Sequence, residues 1–361
     1  MKNIKKSCIV IGPFPSPVTG LSIVNQFIAQ KMNDYKINVI KYDTSPGSIN
    51  RNRSYYFKKF KVVFGATLFL IKYKESKNTK LYLSVSGRHG KLSELIYVVI
   101  ARIKKIPIIL HHHSFLYIYK IQISAKLLFW SSGNKTHHIS LSDKMGTLLK
   151  NKYSLKNKFI TISNIVFYDL PQKPYKGSKM RIETLGFLSN ISFEKGIDTF
   201  INLIESLHKL GIKISAKIVG PFEDGISKKY LIGKLKTNKR IKYSGPLYGK
   251  DKKQFYKEVD LFVLPTKNEA EPLVIYESLM NSIPVLSTEV GCIPEQIGNK
   301  INVGLIIKHK EKFIEECMDW ILQREKSLLL YKESQLAALN RFIFLKHNSK
   351  NQLKKFISLF D

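Results

Sequence analysis

The segment Val-Asp-Leu-Phe-Val-Leu-Pro-Thr-Lys-Asn-Glu-Ala-Glu-Pro-Leu-Val-Ile-Tyr-Glu-Ser-Leu-Met (residues 259–280) decides the fold of this chain. Its first seven residues form a short apolar run that is typical of a buried strand and that leads into a polar loop. Pro272 then opens an apolar segment, and proline is favoured at the first position of a helix. The segment therefore predicts a strand, an acidic loop and a helix N-terminus.

Two carboxylates of this segment, Glu269 in the loop and Glu277 on the helix, are eight positions apart. Free backbone N–H groups in the first helical turn, roughly residues 273–275, attract an anion, ideally a phosphate. Carboxylates would repel that phosphate, but they suit hydroxyl-rich groups on either side of it. A diphosphate between a ribose and a hexose is a nucleotide sugar. Taken alone, two Glu at this spacing would also fit ordinary solvated residues.

With the residues that follow, through Pro284-Val-Leu-Ser-Thr and Gly291-Cys-Ile-Pro-Glu, the segment resembles the retaining glycosyltransferases of family 4 and their Glu-x7-Glu signature. The resemblance is strongest over residues 185–297. It implies the GT-B architecture, in which two doubly wound, Rossmann-like domains face each other across a cleft. It also implies that Glu277 contacts the donor ribose and Glu269 the donor sugar. The backbone between them, with Pro272, Leu273 and Val274, then binds the diphosphate.

Alternation of apolar, β-branched runs with helical segments supports an α/β fold with parallel sheets. The predicted strands are residues 6–11, 37–42, 80–85, 106–112, 136–141 and 159–162, then 181–188, 213–219, 241–243, 261–264, 284–287 and 304–307. Six strands in each half predict two domains, and residues 168–179 have the composition of a linker. We expect an acceptor-binding domain at 1–170, a donor-binding domain at 178–333, and a C-terminal helix at 334–361 that crosses back to the first domain.

The formal net charge of +33 predicts attraction to a polyanion, although part of it follows from a Lys-rich composition. The longest uncharged apolar run, residues 62–71, is too short to span a bilayer. The apolar stretch near the N-terminus fits a first strand better than a signal peptide. Three distant cysteines without metal-type spacing fit a reducing compartment. We therefore expect a cytoplasmic protein that associates peripherally with the inner face of the membrane.

A Gly-rich loop, residues 12–25, joins the first predicted strand to the first helix. It lacks Gly-x-Gly-x-x-Gly, so a nicotinamide cofactor is not expected. Thr19 and Ser22 can satisfy the first amides of the helix. A tight turn with a capped helix explains the loop about as well as a ligand site does. The resemblance implies that Gly20 and Gly220, each after a strand, border donor phosphates, and that Thr19 and Ser22 border the acceptor.

Three consecutive histidines end the fourth predicted strand, and His111 and His113 share one face of it. Two imidazoles could bind a metal ion, but a third ligand is not evident, and a His at a strand end is most often structural. The resemblance implies a His over the donor sugar at this place. His113 fits that role best because Ser114 begins the loop, and His111 is the second candidate.

Lys195, in the loop that opens the second domain, can reach a diphosphate and stabilise it as it leaves. Family 4 members often carry Gly-Arg-Leu before this Lys, whereas this chain has Gly186-Phe-Leu, so the Arg is absent. Asn190 or Ser189 would then supply neutral donors. A surface Lys is the alternative interpretation. Ala270-Glu271-Pro272 also departs from the family pattern, and we expect Glu271 to face solvent.

Residues 51–61 mix basic side chains with aromatic rings. Such a segment is compatible with stacking on nucleic-acid bases or with a helix at a membrane interface. The simplest interpretation is a helix that packs its rings inward and leaves a solvated Lys face. The functional alternative is a model in which the first domain docks on an anionic membrane through the segment from Arg51 to Lys61 and neighbouring cations.

The function indicated is transfer of a hexose or hexosamine from a nucleotide sugar to a hydroxyl of a sugar or lipid-linked sugar acceptor, with retention, in surface-polysaccharide biosynthesis (capsule or lipopolysaccharide). A UDP-sugar is favoured and GDP-mannose is the alternative donor. No Asp-x-Asp motif ends a predicted strand, so no metal or other cofactor is expected. The rivals are a nucleotide-sugar 2-epimerase on the same architecture and, from charge alone, a nucleic-acid-binding protein, although no nucleic-acid partner is expected.

Overall fold

A computed structural model of the chain describes residues 6–48, 53–74, 78–87, 90–171, 180–299 and 302–361. The chain divides into two compact units. The first is formed by Met1–Phe167 with Ser349–Asp361, and the second by Tyr168–Asn348. Each unit has its own sheet and its own apolar core.

The first unit is built on a sheet of six parallel strands. The strands are β1 (Ser7–Gly12), β2 (Asn38–Asp43), β3 (Thr79–Val85), β4 (Ile108–His112), β5 (His137–Ser140) and β6 (Lys158–Thr161). The helices are α1 (Gly20–Asp34), α2 (Arg53–Lys72), α3 (Lys91–Ile103), α4 (Leu116–Tyr119), α5 (Ile123–Ser132) and α6 (Asp143–Tyr153).

The second unit repeats this plan with six further parallel strands. The strands are β7 (Thr184–Leu188), β8 (Ser215–Val219), β9 (Ile241–Tyr243), β10 (Leu261–Leu264), β11 (Val285–Thr288) and β12 (Gly304–Ile307). The helices are α7 (Ile197–Lys209), α8 (Gly225–Thr237), α9 (Gly249–Glu258), α10 (Leu273–Met280), α11 (Ile293–Ile297), α12 (Phe313–Glu325) and α13 (Leu328–Asn348). A last helix, α14 (Lys350–Ile357), groups with the first unit.

Every predicted strand is present, and its ends lie within three residues of the predicted ones. The central strands β1, β4, β10 and β11 are buried along their whole length. Burial on both faces explains why the sequences of these strands are continuous apolar runs rather than alternating apolar and polar residues. The prediction of two doubly wound parallel sheets is confirmed.

Strand order fixes where each sheet can hold a ligand. The orders are β2-β1-β3-β4-β5-β6 and β12-β11-β10-β7-β8-β9. The chain therefore changes direction between β1 and β3 in the first sheet and between β7 and β10 in the second. In open α/β sheets, ligands bind outside the carboxyl ends of the strands at such a reversal.

The C-terminal region differs from the single helix predicted for residues 334–361. Helix α13 already begins at Leu328, and it buries Tyr331 and Phe342 within the second unit. Only the last thirteen residues group with the first unit, where Phe356 and Phe360 join its core. Residues 334–360 are helical by pattern throughout, and that pattern does not show that the two helices serve different cores. The boundary between the two units lies between Phe167 and Tyr168, directly before the predicted linker at residues 168–179. Residues 172–179 of that linker lie outside the described residues.

Candidate functional site

The loops that follow β7 and β10 carry the polar groups at the reversal point of the second sheet. Lys195 lies in the loop between β7 and α7, and Glu269 lies in the loop between β10 and α10. The Lys195 Nζ donates to Glu269 Oε1 at 2.6 Å and to the Asn268 carbonyl at 2.8 Å. Both side chains are about four-fifths buried, with relative exposures of 18% and 20%. The structure thus joins two residues that are 74 positions apart in the sequence.

Hydrogen bonds fix the two loops to each other. The Lys267 amide donates to the Glu194 carbonyl at 2.8 Å, and Asn268 Nδ2 donates to Glu194 Oε1 at 2.9 Å. A third loop, after β11, supports the acidic one, because the Cys292 amide donates to the Ala270 carbonyl at 2.7 Å. The Lys195–Glu269 pair is therefore held by main-chain contacts as well as by its own charges.

Gly291 lets the third loop approach this closely. Its φ is +58°, and a Cβ there would lie 2.4 Å from the Glu269 carbonyl oxygen and 2.5 Å from that of Ala270. Both the left-handed backbone and the missing side chain are needed at this position. Cys292, the next residue, is fully buried.

Helix α10 presents its N-terminus beside the ion pair. Pro272 is the N-cap, and it offers no side-chain hydrogen bond to the first turn. Leu273 and Val274 are half-buried rather than enclosed. The Pro272 carbonyl accepts a 3.0 Å hydrogen bond from Gln296 Nε2, which holds the start of the helix against α11. Uncapped amides at a helix N-terminus favour anions.

Glu277 lies on α10, and three donors hold its carboxylate. The Tyr256 hydroxyl donates to Oε2 at 2.6 Å, the Tyr168 hydroxyl donates to Oε1 at 3.2 Å, and Lys252 Nζ lies 2.7 Å from the carboxylate. Burial and the adjacent Glu277 charge raise the pKa of both tyrosines well above the ordinary value, so they remain donors. Because a carboxylate has about four acceptor positions, roughly one is left for a ligand hydroxyl.

None of these three partners of Glu277 was predicted from the sequence. Tyr168 belongs to the predicted linker, while Lys252 and Tyr256 lie on α9, which carried no recognised motif. Tyr256 and Lys252 are four residues apart on one helix and therefore share a face, which is the only sequence signal that points to them.

The expectation that Glu271 faces solvent is wrong. Glu271 is 6% exposed, and its Oε1 accepts a 2.6 Å hydrogen bond from the Tyr276 hydroxyl. The turn at Pro272 directs the carboxylate back toward the first turns of α10. Glu271 therefore holds the acidic loop against the helix.

The remaining predicted donor residues lie on the loops after β7 and β8. Gly220 has a φ of +139°, and a Cβ there would lie 1.8 Å from the Ser189 carbonyl oxygen. Asn190 is half-buried in the same loop as Lys195. Phe187, in place of the family's Arg, is fully buried and packs on Phe200 at 5.4 Å between ring centroids. The position thus contributes to the core rather than to an anion site.

In the first unit, Thr19 and Ser22 form the cap of α1. The Ser22 amide donates to Thr19 Oγ1 at 3.1 Å, and the Thr19 amide donates to Ser22 Oγ at 2.8 Å, which is a complete capping box. The capping role predicted for them is confirmed. Ser22 is fully buried, whereas Gly20 is exposed at the first helical position.

The three histidines at the end of β4 have separate environments, with His111 and His112 in the strand and His113 directly after it. His111 is fully buried and its Nδ1 lies 2.6 Å from the Tyr82 hydroxyl. His112 bonds to the Tyr117 hydroxyl at 3.0 Å and to His138 at 2.9 Å. His113 lies 3.9 Å from His111 between ring centroids, on the same side of the strand as predicted.

His113 carries no charge at neutral pH, because burial lowers its pKa to about 3. Its Nε2 has no hydrogen-bond partner in the part of the chain that the structure describes. A neutral imidazole with an unused ring nitrogen can hydrogen-bond a hydroxyl. His113 belongs to the first unit, whereas Lys195, Glu269 and Glu277 belong to the second.

The described residues contain no group of three or more His, Cys, Asp or Glu side chains placed to share a metal ion. Within the same residues, no helix is long and apolar enough to cross a membrane.

Comparison with known proteins agrees with this geometry. The structure of TarM from S. aureus is 20% identical to this chain, with a TM-score of 0.67 over 83% of this chain and 58% of TarM. HepE from Anabaena, solved with UDP-glucose, is 16% identical with a TM-score of 0.67 over 97% of this chain and 99% of HepE. The fold is GT-B.

Sequence comparison adds to the GT-B assignment. Residues 172–336 match the family model for "Glycosyl transferases group 1". Protein CapJ of Staphylococcus aureus is 26% identical over 56% of this chain and 57% of CapJ. The chain thus spans a little more than half the length of CapJ and of TarM. The matched family segment contains Lys195, Glu269 and Glu277.

Proposed function

We propose that the protein is a glycosyltransferase that moves a hexose or hexosamine from a nucleotide sugar to a hydroxyl of a sugar or lipid-linked sugar acceptor, with retention of the anomeric configuration. The observation that carries the proposal is the Lys195–Glu269 pair at the reversal point of the second sheet, beside the uncapped N-terminus of α10. The match of residues 172–336 to the glycosyl transferases group 1 model supports it.

In this proposal Lys195 and α10 bind the donor diphosphate together. The amides of Leu273 and Val274 contact its oxygens, and Lys195 stabilises the charge that develops as the diphosphate leaves. Asn190 and the backbone near Gly220 and Ser189 border the same anion. Because Lys195 already bonds to Glu269, its ammonium is positioned before the donor arrives, and little reorganisation is needed during the reaction.

The two carboxylates select the groups on either side of the diphosphate. Glu269 Oε1 accepts the hydrogen bond from Lys195. We propose that Oε2 accepts a hydrogen bond from a hydroxyl of the donor sugar. Glu277 accepts from a ribose hydroxyl, in the orientation that Tyr168 and Tyr256 set. Retention without an enzyme nucleophile follows if the leaving phosphate accepts the proton of the acceptor hydroxyl on the same face of the sugar.

The first unit supplies the acceptor side in this proposal. His113 hydrogen-bonds a hydroxyl of the reacting sugar through its unpartnered Nε2, and the loop with Thr19 borders the acceptor. Gly20 in the same loop borders the donor phosphates. His111 and Ser22 are fully buried and do not reach a ligand in this proposal. We propose instead that His111 supports His113 and that Ser22 supports the loop. A UDP-sugar is the favoured donor, because HepE was solved with UDP-glucose. A bacterial surface polysaccharide remains the proposed product class, and the inner face of the membrane the proposed location.

A transfer assay tests this function. The protein is incubated with UDP-glucose, UDP-N-acetylglucosamine or GDP-mannose and a panel of sugar and lipid-linked acceptors, and nucleoside diphosphate release is measured. NMR of the product then gives the anomeric configuration. We expect release that depends on acceptor and that falls in Lys195→Ala but not in Lys209→Ala, a solvent-exposed lysine of α7. Inversion of configuration would refute the retaining mechanism.

The same assay separates the rival functions. An epimerase would convert a nucleotide sugar into its epimer with no acceptor present. A nucleic-acid-binding protein would bind oligonucleotides with a steep salt dependence and would show no response to nucleoside diphosphates. Either result, with no sugar transfer, would replace the proposal.

A further inference from the structure

Helix α2 exposes a row of large apolar side chains instead of burying them. Phe57, Phe60 and Phe64 are between 54% and 68% exposed, and Leu68 and Ile71 continue the row. These positions are three or four residues apart and therefore share one face of the helix. The prediction that the rings of residues 51–61 pack inward is thus wrong for those that the structure describes; Arg51 and Asn52 lie outside the described residues.

The two helices beside α2 expose apolar rows of the same kind. Helix α3 contacts both α2 and α5, so the three lie side by side on one face of the first sheet. They bury small or apolar residues such as Ala66, Ala101 and Ala125 toward the sheet. Their exposed apolar residues, here called the outer face, are Tyr56, Phe57, Phe60, Phe64, Leu68, Ile71, Leu92, Ile96, Val99, Ile103, Ile123, Leu127 and Trp130. An exposed apolar surface that extends over three helices marks an interaction site rather than chance exposure.

The three helices and the segments between them are rich in cations, and acidic residues are nearly absent from them. Residues 53–135 contain 16 Lys or Arg and only two acidic residues, Glu75 and Glu94. Of these two, Glu94 is buried in the first unit. The exposed cations on the three helices and their connections are Arg53, Lys58, Lys61, Lys72, Arg102, Lys105, Lys120 and Lys126.

The geometry points to an anionic lipid bilayer as the partner of the outer face. We propose that the aromatic and aliphatic side chains of α2, α3 and α5 enter the interfacial layer while the cations contact lipid headgroups. Lys61 illustrates the arrangement, since its ammonium lies 4.6 Å from the centre of the Phe57 ring and its stem covers apolar surface. This inference does not depend on the donor chemistry proposed above.

Charge and apolar content together favour a bilayer over the other partners that the outer face could have. A second copy would place two surfaces with the same positive charge against each other, which costs free energy. Nucleic acid would match the charge, and the rings of α2 could stack on bases, but the aliphatic row of Leu92, Ile96, Val99 and Ile103 on α3 would stay exposed to water beside it. A bilayer with anionic lipid satisfies both the apolar row and the surrounding cations. Docking therefore includes an apolar component that charge alone would not give.

Trp130 provides a built-in probe of this docking. It is 81% exposed on α5, whereas Trp320, the other tryptophan, is 3% exposed within the second unit. If the outer face enters the bilayer, Trp130 emission shifts to shorter wavelength, and brominated lipids quench it. Trp130→Phe should abolish both signals and leave the emission of Trp320.

The test uses the full chain with vesicles of phosphatidylcholine alone or mixed with phosphatidylglycerol. We expect flotation and the Trp130 shift with the anionic vesicles, at least tenfold weaker binding to neutral ones, and partial retention at 1 M salt, where screening is strong. The variant Phe57→Ser/Phe60→Ser/Phe64→Ser should lose at least tenfold in binding. Phe344→Ser, which removes an exposed ring of α13 in the second unit, should bind as the wild type does.

Three outcomes would overturn the inference. If the triple variant floats with anionic vesicles as well as the wild type does, the outer face is not the docking surface. Self-association that the triple variant abolishes, without vesicle binding, would assign the face to a second copy. Oligonucleotide binding without vesicle binding would assign it to nucleic acid. Circular dichroism and nucleoside diphosphate affinity of the triple variant show whether it is folded, so that a loss of docking is distinguished from a loss of the donor site.

Discussion

Lys195 is the single side chain on which the proposed chemistry depends most. Its Nζ lies 2.6 Å from Glu269 at the reversal point of the second sheet. If it stabilises the leaving diphosphate, its contribution is larger in the transition state than in the bound donor. Lys195→Ala should therefore lower kcat by about 100-fold or more, the loss typical for one electrostatic donor. A raised KM with normal kcat, measured by diphosphate release with Lys209→Ala as the control, would instead identify a ground-state anchor.

Glu277 tests the assignment of the ribose subsite. Its carboxylate accepts from Tyr168, Tyr256 and Lys252, so removal of the carboxylate loses a ribose contact and disturbs those donors. Glu277→Ala should weaken nucleoside diphosphate binding by about 1–3 kcal/mol in isothermal titration calorimetry. Lys253→Ala, an exposed neighbour of Lys252 on α9, should leave the affinity unchanged. Unchanged affinity in Glu277→Ala would remove this residue from the site.

Residues of the candidate site were predictable from sequence only where they belong to a local motif. Lys195 and Glu269 lie in loops that follow predicted strands, and Glu277 lies on the helix that Pro272 opens. Tyr168 does not belong to such a motif, because its contact with Glu277 spans 109 positions and no local pattern encodes it. Glu271 was assigned wrongly because exposure depends on the turn at Pro272 and on the Tyr276 hydroxyl, which a linear pattern does not contain.

The loop after β11 gives a prediction at the level of structural elements. In Gly291→Ala the new methyl group would meet the Glu269 and Ala270 carbonyls, and the residue would keep an unfavourable φ of +58°. We expect a loss of about 1 kcal/mol or more in the free energy of unfolding and weaker donor binding. Gly233→Ala is the matched control, since no atom lies within 4 Å of its Cβ position on α8. That change should stabilise the helix slightly in thermal unfolding. Equal effects of the two changes would contradict the proposed role of the Gly291 contact.

The buried histidines on and beside strands β4 and β5 should make the first unit sensitive to acid. Burial lowers the pKa of His113 and His138 to about 3 and holds the pKa of His111 and His112 well below the ordinary value. These groups are neutral in the folded unit but take up protons in the unfolded chain below about pH 6.5. Their contribution to stability is therefore complete above pH 6.5 and is lost as the pH falls toward 3, at about 1.4 kcal/mol per group and pH unit.

Glu94 opposes this trend. Burial raises its pKa to about 7, so its contribution to stability is complete below about pH 4.5 and is lost as the pH rises toward 7. As the pH falls, the stability lost through four histidines exceeds the stability gained through one carboxyl group. The first unit should therefore unfold between pH 6.5 and 4. The second unit, whose three histidines are not fully buried, is an internal control. Pulsed hydrogen exchange at each pH compares the units, and simultaneous unfolding of both would contradict the expectation.

For the molecule as a whole, the sequence determined the architecture better than the division of the chain. Parallel strands buried on both faces leave apolar runs that stand out, and all twelve were located. The C-terminal region was harder to predict, because both helices are helical by pattern, whereas Phe342 on α13 and Phe356 on α14 belong to different units. For α2 the sequence left inward packing and an exposed interfacial helix open, since a row of aromatic residues is compatible with burial and with exposure alike.

Hydrogen–deuterium exchange with and without UDP or GDP tests the proposed donor site across the whole chain at once. If the diphosphate binds at the reversal point between β7 and β10, one of the two nucleotides should slow exchange at residues 190–196 and 268–277. The outer face of α2, α3 and α5 should exchange as before. Protection confined to residues outside these two segments, or no protection by either nucleotide at millimolar concentration, would contradict the account.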